Sequence, residues 1–370
     1  MSRASDASEV VSLPYTIVGA GAIGGILGAH LIEAGCDVTF VEENREHVEA
    51  ISSSGLRVSG ARDLTVSARA VTPDEVSGPL GRVLLAVKSR HTEQALATIG
   101  PLLAPNGYVV SLQNGLEEYK IARAVGEGRT IGAFLTFGGH YLKPGEVVYG
   151  GSGSFRTGEL DGERTERIER LRDDLSALQN VELTGNIFGF LWAKMALGAI
   201  YFATALVSED VPDQMEDRRY RSLFANLAGE VVAVAAAAGV ELESFDGFDP
   251  QVFRFGKPRE SREADAAWAA QRAYWLRHSQ RRTGVWRDLS IHKRPTEVHG
   301  LVGAVMGVAE EQGVPVPRLH GLVRLVQGVE RGELELGRHN LETLIAIDQE
   351  AAEQGRPPSP PSLSEGSGQG

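Results

Sequence analysis

Tyr15–Val41 reads YTIVGAGAIGGILGAHLIEAGCDVTFV. Tyr15–Val18 is a short run of β-type residues, and Gly19-Ala20-Gly21-Ala22-Ile23-Gly24 follows at once. A helical pattern continues to about Ala34, Gly35 closes it as a C-terminal glycine does, and Asp37–Val41 is the next strand. The glycines therefore sit in a strand–turn–helix–strand context, which lifts the motif above a chance match. Gly19 permits the tight turn, Gly21 lets backbone approach a pyrophosphate, and Gly24 allows close helix–sheet packing. The helix start adds free N–H groups and a partial positive charge for phosphates. The stretch predicts a dinucleotide site on Gly19, Ala20, Gly21, Ala22, Ile23 and Gly24.

Outward from this unit, strand and helix signals alternate. Arg82–Val87 reads as a buried strand, Thr92–Ile99 as a helix, and Tyr108–Leu112 as a strand closed by Gln113-Asn114-Gly115. Such alternation predicts a doubly wound parallel sheet. From Thr130 to Thr157 the pattern is β-like and glycine-rich, which suggests strands added along one edge. After about Asn186 the chain turns helical, with candidates at Ile187–Leu206, Asp217–Ala238, Glu260–Arg282, Glu297–Gln312 and near Leu319–Glu330. The expected fold class is α/β: a Rossmann-type domain over residues 15–185, then an all-α domain over 186–340. Residues 1–14 are expected to be a disordered arm and 341–370 a tail, disordered from about 355, where Pro, Ser and Gly dominate.

Composition narrows the function classes. The chain has 370 residues, 42 % of them hydrophobic, and a formal net charge of -12. That suits a globular protein and argues against coating nucleic acid or an anionic membrane. A single cysteine, Cys36, allows no internal disulfide and fits a reducing, cytoplasmic setting. The nine histidines are scattered without ligand spacing, so no metal is expected. Ile187–Leu206 is long and apolar enough to resemble a membrane span, but Lys194 near its middle favours a buried helix.

Several polar residues stand out. Glu42 closes the second strand, where an acid usually bonds a ribose 2′-OH and repels a 2′-phosphate. With Glu43 it points to NAD, while Arg45 could meet the extra phosphate of NADP. Lys194 is either a buried acid with a depressed pKa or a side chain reaching water along its aliphatic stem. Glu297 lies in a helix start, Pro295-Thr296-Glu297, where it also suits the helix dipole. Arg254–Arg294 carries eleven basic residues against four acidic ones, a local excess suited to an anionic ligand or a solvated helix face.

Taken in order, GAGAIG (Gly19–Gly24), LLAVKS (Leu84–Ser89), SLQNGLEE (Ser111–Glu118), GFLWAKMALG (Gly189–Gly198), RPTEVHGLVG (Arg294–Gly303) and GVPVPRLHGL (Gly313–Leu322) resemble the ketopantoate reductase family. The resemblance covers Tyr15 to about Leu325. It implies hydride transfer from NAD(P)H to the carbonyl of a small anionic 2-oxo acid, with NADP as the family's cofactor. It implies Lys194 as general acid, Asn114 beside nicotinamide and substrate, Lys88 near the cofactor, and Glu297 contacting substrate and orienting the lysine. Thr283 is the hydroxyl nearest the family's substrate-binding serine. The chain departs from the pattern at Gly198 and Phe202, where the family often has asparagines, and at Glu42-Glu43-Asn44-Arg45. Leu242–Arg282 is longer than the family needs and could reshape the pocket. An NAD-dependent 2-hydroxy acid dehydrogenase and a non-catalytic dinucleotide sensor are the alternatives. The expected assembly is a homodimer, with no nucleic-acid or membrane partner.

Overall fold

The computed structural model describes residues 14–277 and 280–354. The expected N-terminal arm, apart from Pro14, and the expected disorder from 355 lie outside the described residues. The glycine turn joins β1 (Tyr15–Val18) to α1 (Ala22–Glu33), and β2 (Val38–Val41) returns parallel to β1 with Tyr15 opposite Val38. α2 (Arg45–Ser54) follows, capped by the Asn44 side chain, which accepts from the Glu46 and His47 amides. The chain then passes through β3 (Leu56–Gly60), β4 (Leu64–Val66) and β5 (Arg69–Val71) to β6 (Leu80–Leu85), α3 (Thr92–Ile99), β7 (Leu103–Ser111), α4 (Glu118–Val125) and β8 (Thr130–Leu135). β9 (Gly139–Lys143), β10 (Glu146–Tyr149), β11 (Phe155–Glu159), α5 (Glu166–Leu175) and β12 (Glu182–Leu183) complete the domain.

The main sheet has the order β12-β11-β8-β7-β6-β1-β2-β5. All its pairs are parallel except β8 with β11. Strand order reverses between β1 and β6, so the crevice beyond their carboxyl ends is where a ligand fits this fold. The expected edge strands over 130–157 are found only in part. β8 and β11 do extend the main sheet, but β9 and β10 leave it and join β3 and β4 in a second sheet, β4-β3-β10-β9. β10 pairs in parallel with β3, a partner far away in sequence, which local patterning cannot announce.

The helical domain opens with α6 (Ile187–Thr204), whose first turn is capped by Asn186 accepting from the Gly189 amide. α6 is buried on nearly every side, Trp192 and Phe202 among its core residues. Among the described helices it alone is long and apolar enough to cross a bilayer, and 78 % of that window lies inside the fold. A helix hydrophobic all round is a core helix here. Around it lie α7 (Val211–Glu216), α8 (Arg218–Ala237), α9 (Arg262–Leu276), α10 (Gly284–Arg287), α11 (Val298–Gln312), α12 (Pro317–Glu330) and α13 (Arg338–Gln354).

Two boundaries differ from expectation. The helix expected over Glu260–Arg282 is the shorter α9, begun by Ser261 capping the Ala264 amide. The tail expected from 341 is instead the body of α13. Leu341 and Leu344 are fully buried against the domain, and Asn340 donates to the Leu206 and Glu335 carbonyls. Its polar sequence hid a helix that packs along one narrow apolar face.

Candidate active site

The site is assembled along the carboxyl ends of the strands. At β1, Gly19 has φ +96°, and a Cβ there would stand 3.0 Å from the Val87 nitrogen. A Cβ on Gly24 would come within 2.0 Å of the Gly19 carbonyl oxygen. Gly21 faces open space, with nothing within 4 Å of where a Cβ would be. No side chain caps α1, so its first N–H groups are left for a ligand. A closely packed turn beneath a cradle of uncapped amides fits a pyrophosphate.

At the end of β2, Glu42 accepts from the Ala20 amide through Oε2 at 2.9 Å and from the Asn44 amide through Oε1 at 3.0 Å. Its charge is thereby fixed against the glycine turn. Arg45 is exposed and pairs with the equally exposed Asp74 at 3.5 Å.

Beyond β6, Lys88 Nζ lies 3.5 Å from Glu297 Oε2, and the Ser89 amide donates to Glu297 Oε1 at 3.4 Å. Glu297 is the residue just before α11. The start of α11 is seated tightly on the two strand ends. A Cβ on Gly300 would collide with Ser89 Oγ at 1.9 Å, and one on Gly115 would meet the Gly300 oxygen at 2.7 Å.

Beyond β7, Gln113 Nε2 donates to the Val87 carbonyl and to Thr92 Oγ1, each at 2.8 Å. With Gly115 at φ +100°, these bonds present Asn114 to solvent at the crevice. Lys194 meets it there from α6. Its Nζ donates to Asn114 Oδ1 at 2.8 Å and to the Leu135 carbonyl, the last residue of β8, at 2.7 Å. The ring of Phe134 lies beneath, its centroid 5.7 Å from Nζ. Burial pushes the Lys194 ammonium down to about 8, against the upward pull of Glu118, Glu297 and Asp246.

The structure brings Lys194 and Asn114 together, and sets Glu297, expected to orient the lysine, against other partners. Glu297 holds Lys88 and Ser89 and acts on Lys194 only through its charge. Asn114 and a backbone carbonyl orient the lysine. Thr283 is placed differently again. It is buried, and its Oγ1 accepts the Trp286 amide at 3.1 Å as the cap of α10.

Sequence reasoning missed three contributors. The Leu135 carbonyl has no sequence signal. Glu118 lies inside the quoted SLQNGLEE motif, fully buried on the first turn of α4, and burial pushes its carboxyl up to about 8. Asp246 has φ +46° and accepts from Thr136 Oγ1 at 2.7 Å and Ser154 Oγ at 2.6 Å, tying the helical domain to the sheet.

Comparison with known proteins places this geometry. Residues 15–162 match the family described as Ketopantoate reductase PanE/ApbA, and residues 186–330 match its C-terminal domain. A 2-dehydropantoate 2-reductase of Pyrococcus horikoshii is 30 % identical over 61 % of this chain and 75 % of that protein. One from Mesorhizobium japonicum is 27 % identical over 86 % of this chain and 99 % of that protein. Among solved structures, a PanE/ApbA family ketopantoate reductase from Ralstonia eutropha aligns with a TM-score of 0.71 at 27 % identity, covering 86 % and 99 % of the two chains. A D-mandelate dehydrogenase bound to NADH and anilino(oxo)acetate aligns with a TM-score of 0.73 at 21 % identity, with the same coverage, a likeness of fold. With two family matches spanning most of its length and the lysine and asparagine held at the strand ends, the chain belongs to the ketopantoate reductase family of NAD(P)-dependent oxidoreductases.

Proposed function

We propose that this protein reduces a 2-oxo acid to the 2-hydroxy acid at Lys194, 2-dehydropantoate being the first substrate to test. The observation that carries the reading is the setting of the Lys194 ammonium. An ammonium has three N–H donors. Two are committed to Asn114 Oδ1 and the Leu135 carbonyl, so the third is left for a substrate oxygen.

The glycine turn, the amides of α1, Glu42 and Lys88 are the groups that would hold a nicotinamide dinucleotide, which supplies the hydride when bound. Lys194 does the rest of the work on the carbonyl. As negative charge grows on the substrate oxygen, the fixed ammonium stabilises it, then moves its proton from Nζ to that oxygen. A lysine at about 8 is charged at neutral pH, yet gives up its proton far more readily than one near its ordinary value. Asn114 keeps Nζ aimed, and the Lys88–Glu297 contact closes the crevice between the domains.

Glu42 favours a second reading, an NAD-dependent 2-hydroxy acid dehydrogenase. Its carboxylate, fixed against Ala20, opposes a 2′-phosphate. In that direction neutral Lys194 takes the proton. The test is stoichiometry: purified protein with NADPH or NADH and 2-dehydropantoate should yield one pantoate per dinucleotide oxidised. Dinucleotide oxidation without the 2-hydroxy acid would overturn the reading.

A further inference from the structure

The line of strand ends that carries the site leads on to a cavity one residue past the Leu135 carbonyl that holds Lys194. Along the sheet, the dinucleotide groups follow the strands in order: Glu42 after β2, the glycine turn after β1, Lys88 after β6 and Asn114 after β7. Next comes β8, whose last carbonyl holds Lys194. The residue after it, Thr136, lines a cavity of about 700 Å³ between β8, β11 and the helical domain. That volume lies within the range of small-molecule sites, about 300–1,000 Å³. In strand order the cavity lies at and beyond β8, on the side away from the dinucleotide groups.

Its outer wall belongs to the long segment that the family pattern leaves unexplained. Asp246, Tyr274 and Arg277 come from Leu242–Arg282 and face Thr136, Ser154 and Asn180. Asp246 is spent on the hydroxyls of Thr136 and Ser154, so it anchors the wall. It is also near enough for its charge to act on Lys194, Tyr201 and Tyr274. Gly198, one helical turn beyond Lys194, has nothing within 4 Å of where its Cβ would be, so no side chain fills α6 there.

The charges in the cavity differ in how they are met. Arg156 is paired with Glu182 at 2.7 Å. Within the basic stretch Arg254–Arg294, Lys257, Arg272, Arg282 and Arg294 have acidic partners. Arg277 lines the cavity, is exposed, stacks over Tyr274 at 5.9 Å, and has no acidic partner among the described residues.

We propose that this cavity receives the side chain of 2-oxo acids longer than 2-dehydropantoate that end in a second anionic group, with Arg277 meeting that group, so that the same centre reduces these acids as well. The inference rests on the 2-oxo acid reading above. An anion at Arg277 would form a charge-assisted, bidentate contact that an uncharged chain end of equal length cannot make.

The test compares 2-oxoglutarate and 2-oxoadipate with 2-oxovalerate and 2-oxohexanoate, with NADPH and NADH, in the wild type, Arg277→Ala and Arg277→Lys. The dicarboxylic acids should have kcat/KM at least tenfold above the monocarboxylic acids of equal length. Arg277→Ala should cut that ratio about tenfold, mainly through KM, and Arg277→Lys should restore part of it. A ratio near one in the wild type, or one that Arg277→Ala leaves untouched, overturns the proposal. Turnover of 2-dehydropantoate alone also overturns it while leaving the 2-oxo acid reading intact. Turnover of none of these acids removes both. Arg277 is a surface residue at the end of α9, so its variants should fold.

Discussion

At the residue scale, the chemistry depends on how three side chains are held. Lys194 must be charged to donate, and burial has brought it to about 8. Reduction should therefore fall as pH rises through that region, while oxidation of the 2-hydroxy acid, which needs the neutral amine, should rise. Opposite limbs in the two pH–kcat profiles are the expected result, and parallel limbs would exclude Lys194 as the proton carrier. Glu118, near enough for its charge to act on Lys194, is a buried acid that holds its proton at neutral pH. Glu42→Gln keeps an acceptor for the Ala20 amide but removes the charge. It should move the KM ratio of the two dinucleotides toward NADPH, by about tenfold for roughly 1.4 kcal/mol of relieved repulsion. An unchanged ratio would mean that Glu42 serves the turn and not the choice of cofactor. Lys194, Asn114 and Glu42 were legible as sequence because each stands in a motif or breaks an apolar run. Thr283 is less legible, because a hydroxyl near a turn looks the same in sequence whether it meets a ligand or caps a helix, and here it accepts the Trp286 amide.

At the element scale, the fit of α11 on the strand ends carries the closure of the crevice. Gly300→Ala would drive a Cβ into Ser89 Oγ, so α11 must shift and the Glu297 contacts with Lys88 and the Ser89 amide must lengthen. Overpacking of this kind costs about 1–3 kcal/mol, and KM should rise with it. A crystal structure of the variant with Glu297 undisplaced would refute this account of α11. The βαβ unit and most helices were readable because their apolar periods are local and strong. The second sheet was not, since β10 finds β3 across a long stretch of chain. α13 was also missed. Its sequence RHNLETLIAIDQEAAEQ is polar overall, and the leucines that dock it reveal themselves only against their partners. Leu344→Ala should cost about 2–5 kcal/mol in chemical denaturation, as a core truncation does. A loss within about 0.5 kcal/mol would show α13 to be an appendage, since surface substitutions stay in that range.

At the scale of the whole molecule, the two domains meet along one line of strand ends, and function follows that line. The glycine turn and Glu42 lie at one end, Lys88 and Asn114 in the middle, and Lys194 at the other, held by the last carbonyl of β8. The sequence order of the motifs announced both domains and the family. It did not announce that Glu297 would clasp the Rossmann domain, nor that Leu242–Arg282 would wall a cavity at the end of β8, because both are relations between distant segments. The central claim is that Lys194 carries the proton to a 2-oxo acid bound beside the nicotinamide. The direct measurement is dinucleotide oxidation with 2-dehydropantoate, followed by absorbance, for the wild type and Lys194→Ala, with dinucleotide affinity measured in parallel. The account predicts that kcat falls about 10²–10⁴-fold in the variant, the range for a positioned acid, while affinity stays within a few-fold. Undiminished turnover in Lys194→Ala would contradict it.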